Sequence, residues 1–138
     1  MKYSYVTFLP GVHSKENIIK RPMIEIEIFG PKGSHKQFAL IDSGADRSLF
    51  NMEIAKVIGL DLSNGGEYGV TGISGVTKAI ILEVEIKVAH LNKIIIPVGF
   101  IDSPYVGVLL GQEGFFDKNK IKFEKDHDTF EINPVFKK

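Results

Sequence analysis

Hydrophobic and polar residues alternate along much of this chain, which is the pattern of β-strands. In residues 24–28 three isoleucines alternate with two glutamates, and residues 82–88 repeat the pattern with different side chains. A period of two residues predicts strands that have one buried and one solvent-exposed face. Three further apolar runs, at 38–41, 94–101 and 106–110, alternate less and predict strands that are more deeply buried.

Two short helices are predicted between these strands. Residues 51–58 place apolar side chains at helical spacing between Asn51, a residue type that caps helix N-termini, and Gly59, a residue type that ends helices. A second short helix is predicted at about 112–117. The remaining segments predict a turn at 30–34, a last strand at 130–132 and one possible strand at 3–8. We therefore expect a mostly β protein with one or two short helices.

The composition fits a single globular domain that spans residues 1–138, with 43% hydrophobic and 25% charged residues. The formal net charge is zero, so the basic face of a nucleic-acid-binding protein is not expected. Cysteine is absent, which excludes disulfide bonds and thiol catalysis. We expect a cytoplasmic protein without a membrane partner, because we find neither a secretory signal nor an apolar run near the ~20 residues of a membrane-spanning helix.

The most informative segment is residues 38–46, where an apolar run ends in an aspartate, Asp42. A carboxylate that activates water must be held on a rigid element, and the end of a buried strand is such an element. Next to it, Ser43 can hydrogen-bond near the turn, Gly44 permits unusual backbone angles and close approach, and Ala45 leaves space beside the carboxylate. The alternative is an ordinary surface turn, since Asp, Ser and Gly are common turn residues.

Two segments further along the chain favour a catalytic turn over an ordinary surface turn. Residues 68–76 carry three glycines among short β-prone residues, which is typical of a mobile hairpin. Residues 108–111 form an apolar strand end that is stopped by glycine, directly before the second predicted helix. Each alone fits an ordinary hairpin or an ordinary buried strand. Their order after the aspartate turn makes the combination specific.

Together the three segments resemble the retropepsin-like aspartic proteases, a single-domain family that includes the retroviral proteases. The resemblance covers residues 22–132 and leaves residues 1–20 as an N-terminal extension. It implies a small closed β-barrel-like acid protease fold, an endopeptidase that acts on peptides or proteins, and no metal or cofactor. The residues that it assigns are Asp42 as the catalytic group, Ser43, Gly44 and Ala45 as the supporting turn, and Gly44, Asp46, Gly72, Ile73 and Leu109 as substrate contacts.

Aspartic protease chemistry needs two carboxylates around one water, and this sequence has one catalytic turn. Asp102 and Asp128 are also followed by a hydroxyl residue, but proline or phenylalanine stands where the glycine is needed. We therefore expect a C2 homodimer that brings two Asp42 side chains together across its axis. Such a pair shares one proton, so that one carboxyl acts as base and the other as acid at acidic to neutral pH.

The chain departs from the retroviral pattern at Gln112, where an arginine that pairs with the acid at the Asp46 position is usual. Glutamine hydrogen-bonds without charge assistance, which leaves the strength of the dimer open. Arg47 either supplies a replacement ion pair or points to solvent. Two alternatives to an active protease follow: a non-catalytic module that binds peptides or dimerises on the same fold, and a latent protease that needs a partner to dimerise. The four histidines are scattered without the spacing of metal ligands.

Overall fold

The computed structural model describes residues 1–8, 19–72 and 75–136. Within these ranges lie twelve strands and two α-helices. The strands are β1 (Lys2–Ser4), β2 (Val6–Phe8), β3 (Ile19–Arg21), β4 (Met23–Gly30), β5 (Gly33–Ile41), β6 (Ser48–Asn51), β7 (Gly66–Gly72), β8 (Gly75–Val88), β9 (Lys93–Ile101), β10 (Val108–Leu110), β11 (Asn119–Glu124) and β12 (Thr129–Pro134). The helices are α1 (Met52–Ile58) and α2 (Phe115–Lys118), and single turns of 3-10 helix lie at Leu62–Asn64 and Lys125–His127.

Six of the strands close into a barrel. Their order is β4, β5, β10, β6, β9 and β8, and the pairing of β4 with β8 completes the ring. Most neighbours are antiparallel, but β10 runs parallel to β5 and β6 runs parallel to β9. Strand β7 lies outside the ring and pairs with the first half of β8 to form a hairpin. The mostly β class, the closed barrel and the two short helices are as predicted.

The hydrophobic core fills the barrel and follows the alternation of the sequence. Ile24, Ile26 and Ile28 are each at most 5% exposed. Phe50 and Phe100 are fully buried and pack edge to face, with their ring centroids 5.8 Å apart. Burial of one such side chain stabilises the fold by about 1.5–3 kcal/mol. The strands that carry the candidate site are therefore fixed by the core.

Helix α1 lies where it was predicted. The Asn51 side chain accepts a hydrogen bond from the Glu53 N–H at 2.9 Å, and Gly59 ends the helix in a left-handed conformation with φ of 77°. Helix α2 is shorter than predicted and begins at Phe115. The reason is that the residues before it pair with the chain beside Asp42, as the parallel bridge between Glu113 and Arg47 shows.

The N-terminal segment packs against the last strands of the chain. The one strand predicted at 3–8 is two strands: β1 pairs with β12, and β2 pairs with β3. Tyr3 stacks on Phe130 with 5.4 Å between ring centroids, and its hydroxyl donates a hydrogen bond to the Ala89 carbonyl at 2.7 Å. The hydrogen bond to Ala89, which directly follows β8, joins the β1–β12–β11 sheet to the barrel. Neither helix in the described ranges has the length and apolar character to span a bilayer.

Candidate active site

The Asp42 turn begins where β5 ends. The Asp42 N–H donates to the Leu110 carbonyl of β10 at 2.9 Å, and the Ala45 N–H donates to the Asp42 carbonyl at 3.2 Å. Oxygen Oδ1 of the half-buried Asp42 accepts a hydrogen bond from the Gly44 N–H at 2.9 Å. Oxygen Oδ2 has no hydrogen-bond partner among the described residues. One oxygen of the carboxylate is thus fixed by its own turn, while the other is free to bind a ligand.

Gly111 allows β10 to approach this turn closely. A Cβ atom at position 111 would lie 2.5 Å from the Arg47 carbonyl oxygen and 2.7 Å from that of Ala45. Both obstructing atoms belong to the backbone, so a side chain at position 111 would push the turn away. The Gly111 N–H donates to the Ser48 hydroxyl at 3.1 Å, and Ser48 is fully buried. The strand end that was predicted to pack beside the aspartate therefore does so.

Residues 112 and 113 hydrogen-bond to the backbone of the Asp42 turn. The Gln112 N–H donates to the Ala45 carbonyl at 2.8 Å, and the Glu113 N–H donates to the Asp46 carbonyl at 2.9 Å. The Gln112 side-chain amide adds a bond of 2.7 Å to the Ser43 carbonyl. Each such bond contributes about 1 kcal/mol. Gln112 thus holds the turn of its own chain through neutral hydrogen bonds.

Arg47 forms the ion pair that the sequence left open. Its Nε lies 3.1 Å from Glu113 Oε2, so its partner is Glu113. Both side chains are more than 40% exposed, which limits the value of the pair to about 1 kcal/mol. The guanidinium also covers the Tyr68 ring, with 4.7 Å from Cζ to the ring centroid. Arg47 therefore joins the turn to the β7–β8 hairpin.

A cavity of about 530 Å³ lies between the turn and the hairpin. Its size is within the usual range for ligand pockets, about 300–1,000 Å³. The residues that line it come from the two sides: Ala45, Asp46, Arg47 and Leu49 on one, and Tyr68, Gly69, Val70 and Thr71 on the other. A ligand in this cavity would contact both the turn and β7.

Of the five residues predicted to contact substrate, one within the described ranges, Asp46, lines the cavity. Leu109 does not, but it lies directly opposite Leu49, which does, so the two share one face of the sheet. The predicted hairpin is present, with Gly72 at the end of β7. Ile73, predicted at its tip, is outside the described residues.

Gly44 has a different role in the turn from the one its residue type suggested. Its φ does not lie in the left-handed region, so no special backbone angle requires a glycine there. Instead, a Cβ atom at this position would lie 3.3 Å from Asp42 Oδ1, a tight contact. The glycine therefore keeps space open beside the carboxylate.

The two aspartates that were rejected as second catalytic groups lie in other surroundings. Asp128 bonds to Lys20 at 2.8 Å and to Lys125 at 2.9 Å, and these hydrogen bonds lower the pKa of its carboxyl. Asp102 is exposed and follows the end of β9. Neither has a glycine two residues further on. Of the three aspartates, only Asp42 lies in a turn with a glycine two residues further on.

Sequence reasoning missed three residues of the site: Ser48, Tyr68 and Glu113. Ser48 carries a weak local signal, since it is a hydroxyl residue at the start of an apolar run before a helix. Glu113 carries none, because its ion pair with Arg47 joins residues far apart in the chain. Tyr68 lies in the predicted hairpin, but no local pattern shows that its hydroxyl is buried without a hydrogen-bond partner in the described structure.

The arrangement presents one free oxygen of the Asp42 carboxylate on a turn whose later residues, Ala45 and Asp46, line the cavity; Asp42 itself is not among the described residues that line it. Such a group can bind a water molecule and accept its proton. Across residues 1–8, 19–72 and 75–136, no three His, Cys, Asp or Glu side chains are grouped so that they could hold a metal ion. In comparisons with known proteins, no family model and no curated protein matches this chain.

Proposed function

We propose that this protein is a retropepsin-like aspartic endopeptidase, which hydrolyses peptide bonds with two Asp42 carboxyl groups brought together in a homodimer. One observation carries the proposal: Asp42 ends a barrel strand on a turn that is clamped to the neighbouring strand. Gly44 fixes one of its oxygens at 2.9 Å, and Gln112 holds the turn through backbone and side chain. Catalytic carboxylates require such rigid support, whereas a solvent-exposed surface turn has no need of it.

The chemistry follows from two such carboxyl groups around one water. Ionised Asp42 removes a proton from the water, whose oxygen forms a bond to the carbonyl carbon of the substrate. The protonated Asp42 of the partner subunit gives its proton to the carbonyl oxygen, so the intermediate carries two hydroxyl groups on one carbon. The proton that Asp42 took from the water then passes to the amide nitrogen, and the carbon–nitrogen bond breaks. At the same time the ionised Asp42 of the partner subunit takes a proton from one of the two hydroxyl groups, so that the carbonyl bond of the product acid forms. The two carboxyl groups end with one proton between them, as they began.

The cavity supports the assignment of an extended peptide as substrate. Asp46 offers a carboxylate at its edge that can accept hydrogen bonds from substrate N–H groups. Leu49 and Leu109 supply an apolar surface for side chains. The β7–β8 hairpin forms the opposite wall and corresponds to the flap of the retropepsin-like family. Ser43 is exposed, and its hydroxyl has no partner in the described residues, so it is free to contact the second turn.

The proposal is tested with a mixed peptide library between pH 3 and 8, with the oligomeric state measured at each pH by sedimentation. Two variants are compared with the wild type. Asp42→Asn removes the acid and base while it keeps the shape of the side chain. Asp102→Asn is the matched control, because Asp102 is an exposed aspartate that also precedes a serine. We expect cleavage that follows the dimer fraction, is abolished in Asp42→Asn and is unchanged in Asp102→Asn.

Two results would overturn the proposal. A dimer that binds peptides without cleaving them would favour the non-catalytic module on the same fold. A monomer without activity is examined further by joining two copies of the chain in tandem through a flexible linker. Activity of this tandem protein would identify a latent protease that lacks only dimerisation. A folded, paired tandem protein that cleaves nothing would exclude protease activity by the Asp42 pair.

A further inference from the structure

The base of the β7–β8 hairpin is held to the barrel by the pairing of β7 with β8 and, in addition, by the Tyr68 side chain. Within the described sheet, β7 is an edge strand that hydrogen-bonds to β8 alone. Backbone pairing therefore does not attach β7 to the barrel strands β6 and β9. The Tyr68 side chain reaches from β7 to these strands, because its hydroxyl and ring lie against Gly99 in β9, next to Leu49 in β6. The side chain thus supplies a contact that the backbone does not.

Gly99 forms a notch that the Tyr68 hydroxyl fills. A Cβ atom at position 99 would overlap the hydroxyl oxygen and would lie 3.0 Å from both the ring carbon Cζ and Leu49 Cδ2. A residue other than glycine would therefore expel the ring. The position lies within β9, two residues before its end, and a glycine inside a strand otherwise weakens it. Close approach of Tyr68 gives this glycine a physical reason.

Arg47 connects the Tyr68 ring to the Asp42 turn. Its guanidinium lies over the Tyr68 ring, and its Nε contacts Glu113 at 3.1 Å. Glu113 in turn donates its N–H to the Asp46 carbonyl at 2.9 Å. A continuous series of contacts thus runs from the hairpin through Tyr68, Arg47 and Glu113 to Asp46. Tyr68, Arg47 and Asp46 also line the cavity.

The Tyr68 hydroxyl is buried at a cost. Its oxygen makes no hydrogen bond of normal geometry within the described residues. Burial and the Glu113 charge raise the pKa of the phenol, while the adjacent Arg47 guanidinium lowers it through its charge and a weaker polar contact with the hydroxyl. A buried hydroxyl without a partner costs about 1–3 kcal/mol. When the ring leaves the notch, water can hydrogen-bond to the hydroxyl, and that cost disappears. The unpartnered hydroxyl therefore offsets part of the stabilisation that the packing of Tyr68 against Gly99 provides.

We propose that Tyr68 is a positioning residue for the hairpin: docked in the Gly99 notch it holds β7 over the cavity, and its unpartnered hydroxyl favours release. The consequence for peptide hydrolysis rests on the proposed function. The docking itself does not, because it follows from contacts within one chain. Release of Tyr68 would loosen the wall of the cavity opposite Asp46 and admit substrate, and docking would close the wall over it.

Hydrogen exchange of the β7 amides, followed by mass spectrometry, tests the docking without any substrate. Gly99→Ala should speed exchange in residues 66–72 by about tenfold or more, because overpacking expels the ring. Tyr68→Phe should slow it by about twofold to fivefold, because the unpartnered hydroxyl is gone. In the double variant the clash with the oxygen is absent, so exchange should return toward the wild-type rate. Barrel strand β4 should change little in any of them.

Glu113→Gln tests whether the ion pair of Arg47 with Glu113 helps to hold Tyr68 in the notch. Loss of the ion pair frees Arg47 and should speed β7 exchange by about twofold to fivefold. Its matched control is Glu53→Gln, which breaks the exposed pair of Glu53 with Lys56 at 3.0 Å on α1 and should leave β7 unchanged. If Gly99→Ala does not fold, Tyr68→Phe and Glu113→Gln still decide the question.

Faster β7 exchange in Tyr68→Phe would overturn the proposal, since it would mean that the hydroxyl stabilises docking. Equal exchange in wild type and Gly99→Ala, or no rescue in the double variant, would also overturn it. Where cleavage is observed, Gly99→Ala should raise KM more than it lowers kcat, because the Asp42 turn is untouched. A protein that cleaves nothing contradicts the proposed function, whereas the exchange measurements still decide whether Tyr68 positions the hairpin.

Discussion

Gly111→Ala should destabilise the protein through the turn that carries Asp42. The new Cβ would lie 2.5 Å from the Arg47 carbonyl oxygen and 2.7 Å from that of Ala45. Ordinary contact distances are about 3.5–4.0 Å, so the turn would have to retreat by about an ångström. The retreat would also lengthen the hydrogen bonds that Gln112 makes to the turn. Because the obstructing atoms are backbone, the cost should be at the upper end for overpacking, about 3 kcal/mol.

Urea unfolding followed by circular dichroism measures this change in the free energy of unfolding. The slope against urea should stay constant while the midpoint falls, since the surface exposed on unfolding is the same. Gly66→Ala is the matched control: nothing lies within 4 Å of its added Cβ, and its φ is not left-handed. It should be neutral or up to about 1 kcal/mol more stable. A loss below about 0.5 kcal/mol in Gly111→Ala would refute the close packing of the turn.

Two further predictions concern groups that position the site. Ser48→Ala should cost about 1–3 kcal/mol in urea unfolding, because it leaves the buried Gly111 N–H without a partner; an unchanged midpoint would contradict this bond. Asn51→Ala should cost about 2–3 kcal/mol, because the side chain caps α1 at Glu53 and donates to two loop carbonyls at 2.9 Å. Asn51→Asp keeps the cap but cannot donate the two bonds to the loop, so it should lower the free energy of unfolding by less than Asn51→Ala does. Equal losses in the two variants would mean that the cap does not contribute separately.

The strands and helix that local patterns specify were predicted correctly. Residues 24–28 and 82–88 lie in β4 and β8, and Asn51 and Gly59 bound α1 as expected. Strand β11 was not predicted, because its sequence mixes charged residues of both signs with only two apolar residues. Its partner β12 provides the apolar contact that its own sequence only partly shows. A strand whose burial depends on its pairing with another strand gives a weak signal in its own sequence.

Local sequence patterns specify the period-two core, the capped helix and the aspartate at the end of a strand, because each depends on residues close together in the chain. The ion pair of Arg47 with Glu113 and the packing of Tyr68 into the Gly99 notch depend instead on the three-dimensional arrangement of the strands. The same arrangement makes glycine necessary at position 111, where the backbone of the turn leaves no room for a side chain. These contacts depend on which strands become neighbours and in what register. Barrel closure sets that register, and no short stretch of sequence contains it.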